Sequence, residues 1–448
     1  MNALAPRFVL PERLELESGV TRALDAAARL GASAADASLS VSRGLSVTVR
    51  RGEVDSLEFH HDRGLSLTVY DGHRSGSASS ADLTAAGIAQ AAASAWAIAR
   101  ASGEDNCNGL ADASRMATLF PDLDLDHPWN IAPDEAIERA RECEAAALAV
   151  NGVAQTEGAS LHTSRGLELY GNSHGFIAER RGSEHYLACS AIVQNDGKMQ
   201  RDDWYSTARH PGDLESEASV GRRAGERAVA RTGARQVATQ RAPVLFVPEM
   251  ARGFWGHFVS AVSGGALYRK ASFLLDKLGQ PVFAPWVRLS QQPFIPRGAS
   301  SAAFDQEGVA TTERTLVEAG VLQGYLLGSY TARKLGMEST GNAGGVFNLV
   351  ADSGPKGFED LLREMGTGLV VTELMGQGVN PVTGDYSRGA AGYWVEKGER
   401  VFPVEEITIA GNLPEMFRAI RAVGNDVDAR SGIHTGSVLI DSMTIAGN

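Results

Sequence analysis

Two histidines on one face of a helix, with a carboxylate beside the first, can hold a zinc ion and take a proton from the water bound to it. The stretch PEMARGFWGHFVSAVSGG, Pro248 to Gly265, has the form of such a helix but carries one histidine, His257. Five residues before it stands Arg252, a cation that stays protonated, followed by Gly253, which has no side chain to move a proton. Phe254, Phe258 and Val262 recur at i, i+4 and i+8, which predicts a buried helical stripe. Taken alone, His257 reads as a packed or hydrogen-bonded histidine before it reads as a ligand.

Other groups compete for chemical roles. Asp305, Glu307 and Glu313 gather near Arg314, and two carboxylates two residues apart can divide acid and base work if their surroundings separate their pKa values. Capping a turn or pairing with Arg314 is the simpler use. His60 and His61 lie in a strand-like run, where consecutive side chains point to opposite faces and cannot easily share an ion. DLDLDH, Asp122 to His127, begins like a calcium loop but has His127 at the sixth position and Pro133 at the twelfth. GNAGG, Gly341 to Gly345, and MGQGVN, Met375 to Asn380, have no phosphate-loop lysine, and read as tight turns or as surfaces that let a peptide main chain approach. No GxSxG elbow appears.

The elements that must position these groups are legible in outline. The 448 residues, 43% hydrophobic with 50 glycines, suit two or three globular domains. With 42 Lys and Arg against 54 Asp and Glu, the net charge of -12 argues against a general nucleic-acid binder. No apolar run is long enough to span a bilayer, no signal peptide opens the chain, and Cys107, Cys143 and Cys189 suggest no disulfide framework; a cytoplasmic home follows.

A helix over residues 12–31, a meander of short alternating strands and an alanine-rich helix from about Asp82 to Ala101 form a first unit, 1–105. A second unit, 106–238, repeats the order: a helix opened by Pro133, three strands, and a polar helix from about Ser216 to Arg235. The remainder, 239–448, reads as mainly β with glycine-rich connections. The fold class is α+β, with an internal repeat of architecture in the first half.

Four blocks carry a resemblance beyond composition: GFWGHFVSAVSGGALYRKASFLLDKLG, FDQEGVATTERTLVEAGVLQGYLLGSYTARKLGMESTGNAGG, MGQGVNPVTGDYSRGAAGYWVEKGE and ITIAGNLPEMFRAIRAVGNDV. In this order they resemble the PmbA/TldD family, specifically its PmbA (TldE) branch. The resemblance implies a cytoplasmic heteromeric peptidase whose TldD-type subunit holds zinc through an HExxxH helix and a late cysteine. Laid on that motif, Arg252 takes the place of the first histidine, Gly253 that of the glutamate, and His257 that of the second histidine. Thr435 falls about where the catalytic branch has its cysteine.

The expectation is therefore a chain with no metal or cofactor of its own, partnered with a zinc-bearing TldD-type subunit and offering unfolded peptide a surface. Two glycine-rich loops, Gly341 to Gly345 and Gly384 to Gly392, are the candidates for that surface, with Gly341, Asn342, Gly344 and Gly345 in the first and Asp385, Tyr386 and Ser387 in the second. A homodimer is possible in isolation; neither nucleic acid nor membrane is expected as a partner. Two alternatives stay open: a hydrolase with its own site using Asp305, Glu307, His257 or His434, and a homodimeric peptide-binding protein.

Overall fold

The computed structural model describes residues 9–195 and 197–447. In the first half, helix α1 (Arg13–Arg29) precedes strands β1 (Ala34–Arg50), β2 (Glu53–Asp71) and β3 (Arg74–Ser80) and helix α2 (Ala85–Ala101). Helix α3 (Pro133–Leu148), strands β4 (Val153–Asn172), β5 (Ile177–Asn195) and β6 (Lys198–Ala208) and helix α4 (Glu217–Ala230) repeat the order. Both units contribute to a single antiparallel sheet ordered β3-β2-β1-β4-β5-β6, joined where β1 pairs with β4 from Asp36↔Asn172 to Val49↔Ala159.

Strict alternation along these long strands puts Leu39, Val41, Leu45, Val47 and Val49 on one face, and the helices cover that face in two pairs. Helices α1 and α2 seal one end of the sheet around Val20, Leu67 and Ile88, while α3 and α4 seal the other around Leu161, Leu187 and Val220. Local chemistry sets the boundaries: Gly31 takes a φ of 97° just past α1, and the hydroxyls of Thr84 and Ser216 cap α2 and α4. Glu144, near the end of α3, accepts the main-chain N–H groups of Arg51 and Gly52, both at 2.8 Å, and so clamps the β1–β2 turn.

The second half begins with β7 (Gln240–Phe246), α5 (Pro248–Ala261) and α6 (Gly264–Tyr268), continues through β8 (Leu289–Gln291), β9 (Arg314–Glu318), β10 (Val321–Leu322), α7 (Ser329–Leu335), β11 (Leu349–Ala351) and α8 (Phe358–Met365), and adds β12 (Gly368–Met375), β13 (Asp385–Glu396) and β14 (Glu399–Asn412). It closes with α9 (Leu413–Arg418), β15 (Ile420–Val423), β16 (Ile433–His434) and β17 (Val438–Ala446). A mixed six-stranded sheet, β14-β13-β12-β7-β17-β15, carries most of the core, beside a smaller sheet ordered β10-β9-β8-β11-β16.

The α+β expectation holds. The run from Gly384 to Gly392, read from its glycines as a loop, is instead largely strand β13. Its glycines serve close packing there: a Cβ at Gly392 would lie 1.8 Å from the Val370 carbonyl oxygen.

The segment between α2 and α3 ties the first half to the second. Arg333 donates to the carbonyls of Cys107 and Gly109 at 3.1 and 3.0 Å, Tyr330 donates to Asp105 at 3.0 Å, and Arg115 donates to the Ser339 carbonyl at 2.9 Å. The cysteines are all free, with Cys143 and Cys189 buried. No helix among the described residues is long and apolar enough to cross a membrane.

Candidate functional site

Helix α5 starts at Pro248, whose missing N–H costs nothing in a first turn. Ala251, Phe254, Trp255, Phe258 and Ala261 are buried, which leaves Glu249, Arg252, Gly253, Gly256, His257 and Ser260 on the other face. Helical periodicity thus gathers the candidates on α5 to one side, but their partners draw them apart.

Arg252 reaches back to the first half of the chain. Its Nη2 donates to the Tyr205 hydroxyl at 2.9 Å, and its Nη1 lies 3.8 Å from Asp428 Oδ2. Asp428 is gripped by Arg430: the Arg430 main-chain N–H and Nε bond Oδ1 at 2.9 and 3.0 Å, and Nη2 bonds Oδ2 at 3.0 Å. Burial pushes the Asp428 carboxyl up, but the bonds and charge of Arg430, with Arg252 adding to them, leave it below its ordinary value. Arg430 also donates to the Tyr205 carbonyl at 2.5 Å and lies over the Trp204 and Tyr205 rings at 4.3 and 4.4 Å. A cleft of about 190 Å³ opens beside this network, where Arg227 and Arg231 interlock with Asp202, Glu249 and Glu373.

Thr435 is fully buried and its hydroxyl is engaged on both sides, accepting from Trp255 Nε1 at 2.8 Å and donating to the Gly436 carbonyl at 2.9 Å. Its main chain pairs with Asp428 in an isolated antiparallel bridge, which places Arg252, Asp428 and Thr435 in one neighbourhood. Neighbouring His434 is 8% exposed, and its Nε2 is sealed from solvent without a partner. His257 faces elsewhere: its ring meets Tyr386 edge-on at 5.8 Å, and burial together with the Arg388 charge lowers its pKa, keeping the imidazole neutral at pH 7.

The carboxylates of the alternative reading, Asp305 and Glu307, both accept main-chain N–H groups. Asp305 is fully buried, with Oδ1 accepting from the N–H groups of Glu307 and Val309 at 2.9 and 3.0 Å and Oδ2 from Ala343 at 2.9 Å. Burial lifts its pKa to about 6 against those three donors. Glu307 accepts the Ser329 N–H at 2.8 Å at the start of α7. Neither carboxylate bonds Arg314, which donates to Asn342 Oδ1 at 3.0 Å and to the Tyr325 carbonyl at 3.2 Å.

Asn342 in turn donates to Gln291 and to the Gly345 carbonyl, fixing the loop. In it Gly341, Gly344 and Gly345 hold φ of 67°, 101° and 124°. Gly344 and Gly345 line a cleft of about 420 Å³ with Gly264, Gly265, Gly328 and Glu307. On β13, Asp385 and Ser387 are exposed, while Tyr386 is buried.

Sequence reasoning passed over Asp428, Arg430 and Tyr205. The DxR spacing of the first two, seven and five residues before Thr435, was a usable signal for a buried ion pair; nothing local connects Tyr205 to α5.

The chain is similar to known proteins along most of its length. Family models for the PmbA/TldA metallopeptidase match as domain 1 over residues 35–99, as central domain over 126–232 and as C-terminal domain over 239–447. Metalloprotease PmbA of Escherichia coli O157:H7 is 46% identical over 437 residues, 97% of each chain. The chain belongs to the PmbA/TldD family.

Within the family it stands in the PmbA branch. A PmbA homologue of Haemophilus influenzae is 45% identical, covering 97% of this chain and 96% of the relative, whereas a TldD homologue of the same organism is 23% identical over 97% and 94%. Among solved structures, a proposed modulator of DNA gyrase from Bacteroides thetaiotaomicron superposes with a TM-score of 0.92 at 27% identity, covering 97% of this chain and 99% of that one. TldE from Thermococcus kodakarensis gives a TM-score of 0.85 at 20% identity over 96% and 100%, and so shares the fold.

Proposed function

We propose that this chain is the non-catalytic subunit of a cytoplasmic metallopeptidase complex, joined to a TldD-type subunit that carries the zinc and cleaves unfolded peptides. The observation that carries this reading is Arg252. At the place of the family's first zinc histidine stands a permanently protonated side chain, tied to Tyr205 and Asp428. Gly253 offers no general base, His257 turns to Tyr386, and the Thr435 hydroxyl is taken up by Trp255. This donor set does not fit a zinc ion, and no step of peptide cleavage is assigned to these residues.

The chain's part is to complete the chamber around the partner's metal and to guide an extended peptide along main-chain surfaces such as the Gly341–Gly345 loop. The named relatives support the family setting: PmbA is called a metalloprotease, and TldD-type relatives exist beside PmbA-type ones in the same organism.

The test is zinc content after equilibration with excess zinc and desalting, for this chain alone and for its mixture with a TldD-type subunit. The expected result is zinc retained only in the mixture, with peptide cleavage appearing there. Stoichiometric zinc on the isolated chain, or cleavage by it alone, overturns the reading.

A further inference from the structure

The two helix pairs on the first sheet leave a band between them, and arginines occupy that band. Cross-strand register sets Arg43 of β1 between His61 of β2 and Arg165 of β4, and on the next row Val41 lies between Arg63 and Leu167, with Arg181 beyond. On either side the same face of the sheet carries leucine and valine. Arginine is thus placed where the alternation calls for an aliphatic side chain, and burying its polar atoms without partners is costly.

Two of these arginines have carboxylate partners. Arg165 forms a two-pronged pair with Asp126 at 2.7 and 2.6 Å, and Arg181 lies 3.8 Å from Glu179. Arg43 has none: its Nε is sealed from solvent with no hydrogen-bond partner. Among the described residues no ion pair ties Arg22, Arg43 or Arg63 to a carboxylate, Arg63 acting on Asp82 only at longer range.

Arg22, Arg43, Arg63 and His61 all line one cleft of about 930 Å³ between α1 and the sheet. Glu12 and Glu15 contribute acidic groups to its lining, and Leu10, Leu16 and Leu39 supply apolar wall. Its size matches sites that enclose small ligands, and its composition is that of an apolar wall with converging donors. A planar guanidinium with a free edge suits an oxyanion, and a half-buried one suits it better because less water competes.

We propose that this cleft binds a small amphipathic anion, its phosphate or carboxylate headgroup held by Arg43, Arg63 and His61 and its apolar body laid against Leu10, Leu16 and Leu39. The site lies on the helix-covered side of the first sheet and shares no residue with the α5 network. It adds a ligand to the proposed function without depending on it.

The experiment is calorimetric titration of the full chain with octyl phosphate, with octanoate and with inorganic phosphate. The expected result is binding of at least one amphiphile with a Kd of about 10–100 µM, and its ratio to the other names the headgroup. Arg43→Gln and the exposed Arg63→Gln each weaken that binding by about tenfold, with an unchanged unfolding midpoint for Arg63→Gln showing that the fold is intact. Three results overturn the proposal: neither amphiphile binding below about 1 mM, Arg63→Gln binding as the unaltered chain does, or inorganic phosphate binding as tightly as octyl phosphate.

Discussion

The indole Nε1 of Trp255 donates to the Thr435 hydroxyl at 2.8 Å, and both side chains are fully buried. This bond crosses from the core face of α5 to the segment between β16 and β17, so it links the helix of Arg252 to the segment of Thr435 through the protein interior. A valine at 435 keeps the shape but leaves the indole N–H without a partner. Thr435→Val is expected to lose about 2 kcal/mol in urea unfolding, while Thr435→Ser retains most of the stability. Equal stability of the valine variant and the unaltered chain would show that this bond contributes little.

Asp428 and Arg430 form a charge pair beside Arg252, with side chains 8% and 17% exposed. Removing one partner strands the other. Arg430→Met is expected to cost about 3 kcal/mol, and Asp428→Leu combined with it to recover part of that loss. A double-mutant cycle in denaturant measures the coupling, and additive losses would contradict it.

Gly253 and Gly256 sit inside α5 with open space where a Cβ would project. Glycine in a helix interior costs about 1 kcal/mol relative to alanine, and nothing among the described residues requires it at either position. Gly253→Ala and Gly256→Ala are each expected to raise the thermal midpoint of the isolated chain. If both variants also bind a TldD-type subunit less tightly, the space belongs to the assembled complex.

Asp36 is an acid with a pH signature. Burial, with the charge of Glu307 adding to it and a hydrogen bond from Tyr70 opposing it, raises its pKa from the ordinary range to about 7. A raised acid binds its proton more readily folded than unfolded. Its favourable contribution is therefore present below about pH 4 and is lost as the pH rises to about 7. Asp36→Asn, which cannot ionise, is expected to match the unaltered chain near pH 4 and to exceed it by about 4 kcal/mol at pH 8. A difference independent of pH would sink this assignment.

How much of the molecule could be read in advance depended on how local the cause was. Gly31 and Pro133 mark helix ends through their own backbone chemistry, and α1 and α3 lie where they indicate. The glycines of 384–392 misled because a glycine needed for turning and one needed for close strand packing look alike in sequence. Only the approach of the Val370 carbonyl to Gly392 separates the two. Asp305 and Glu307 were legible as a pair that caps a turn or binds Arg314; which main-chain groups they hold was not, since their partners at Ala343 and Ser329 lie far along the chain.

By itself the sequence determined the α+β class and the helical stripe of Phe254, Phe258 and Val262. These follow from residue type and short-range periodicity, which act within a turn or two of chain. Only the tertiary structure decided that Arg252 holds Tyr205 and Asp428, that His257 turns to Tyr386, that both helix–sheet units share one sheet, and that Arg43 lies unpaired in the gap between their helices. Each of these depends on which side chains, distant in sequence, packing brings into contact, and the spacing of residues along the chain does not record that.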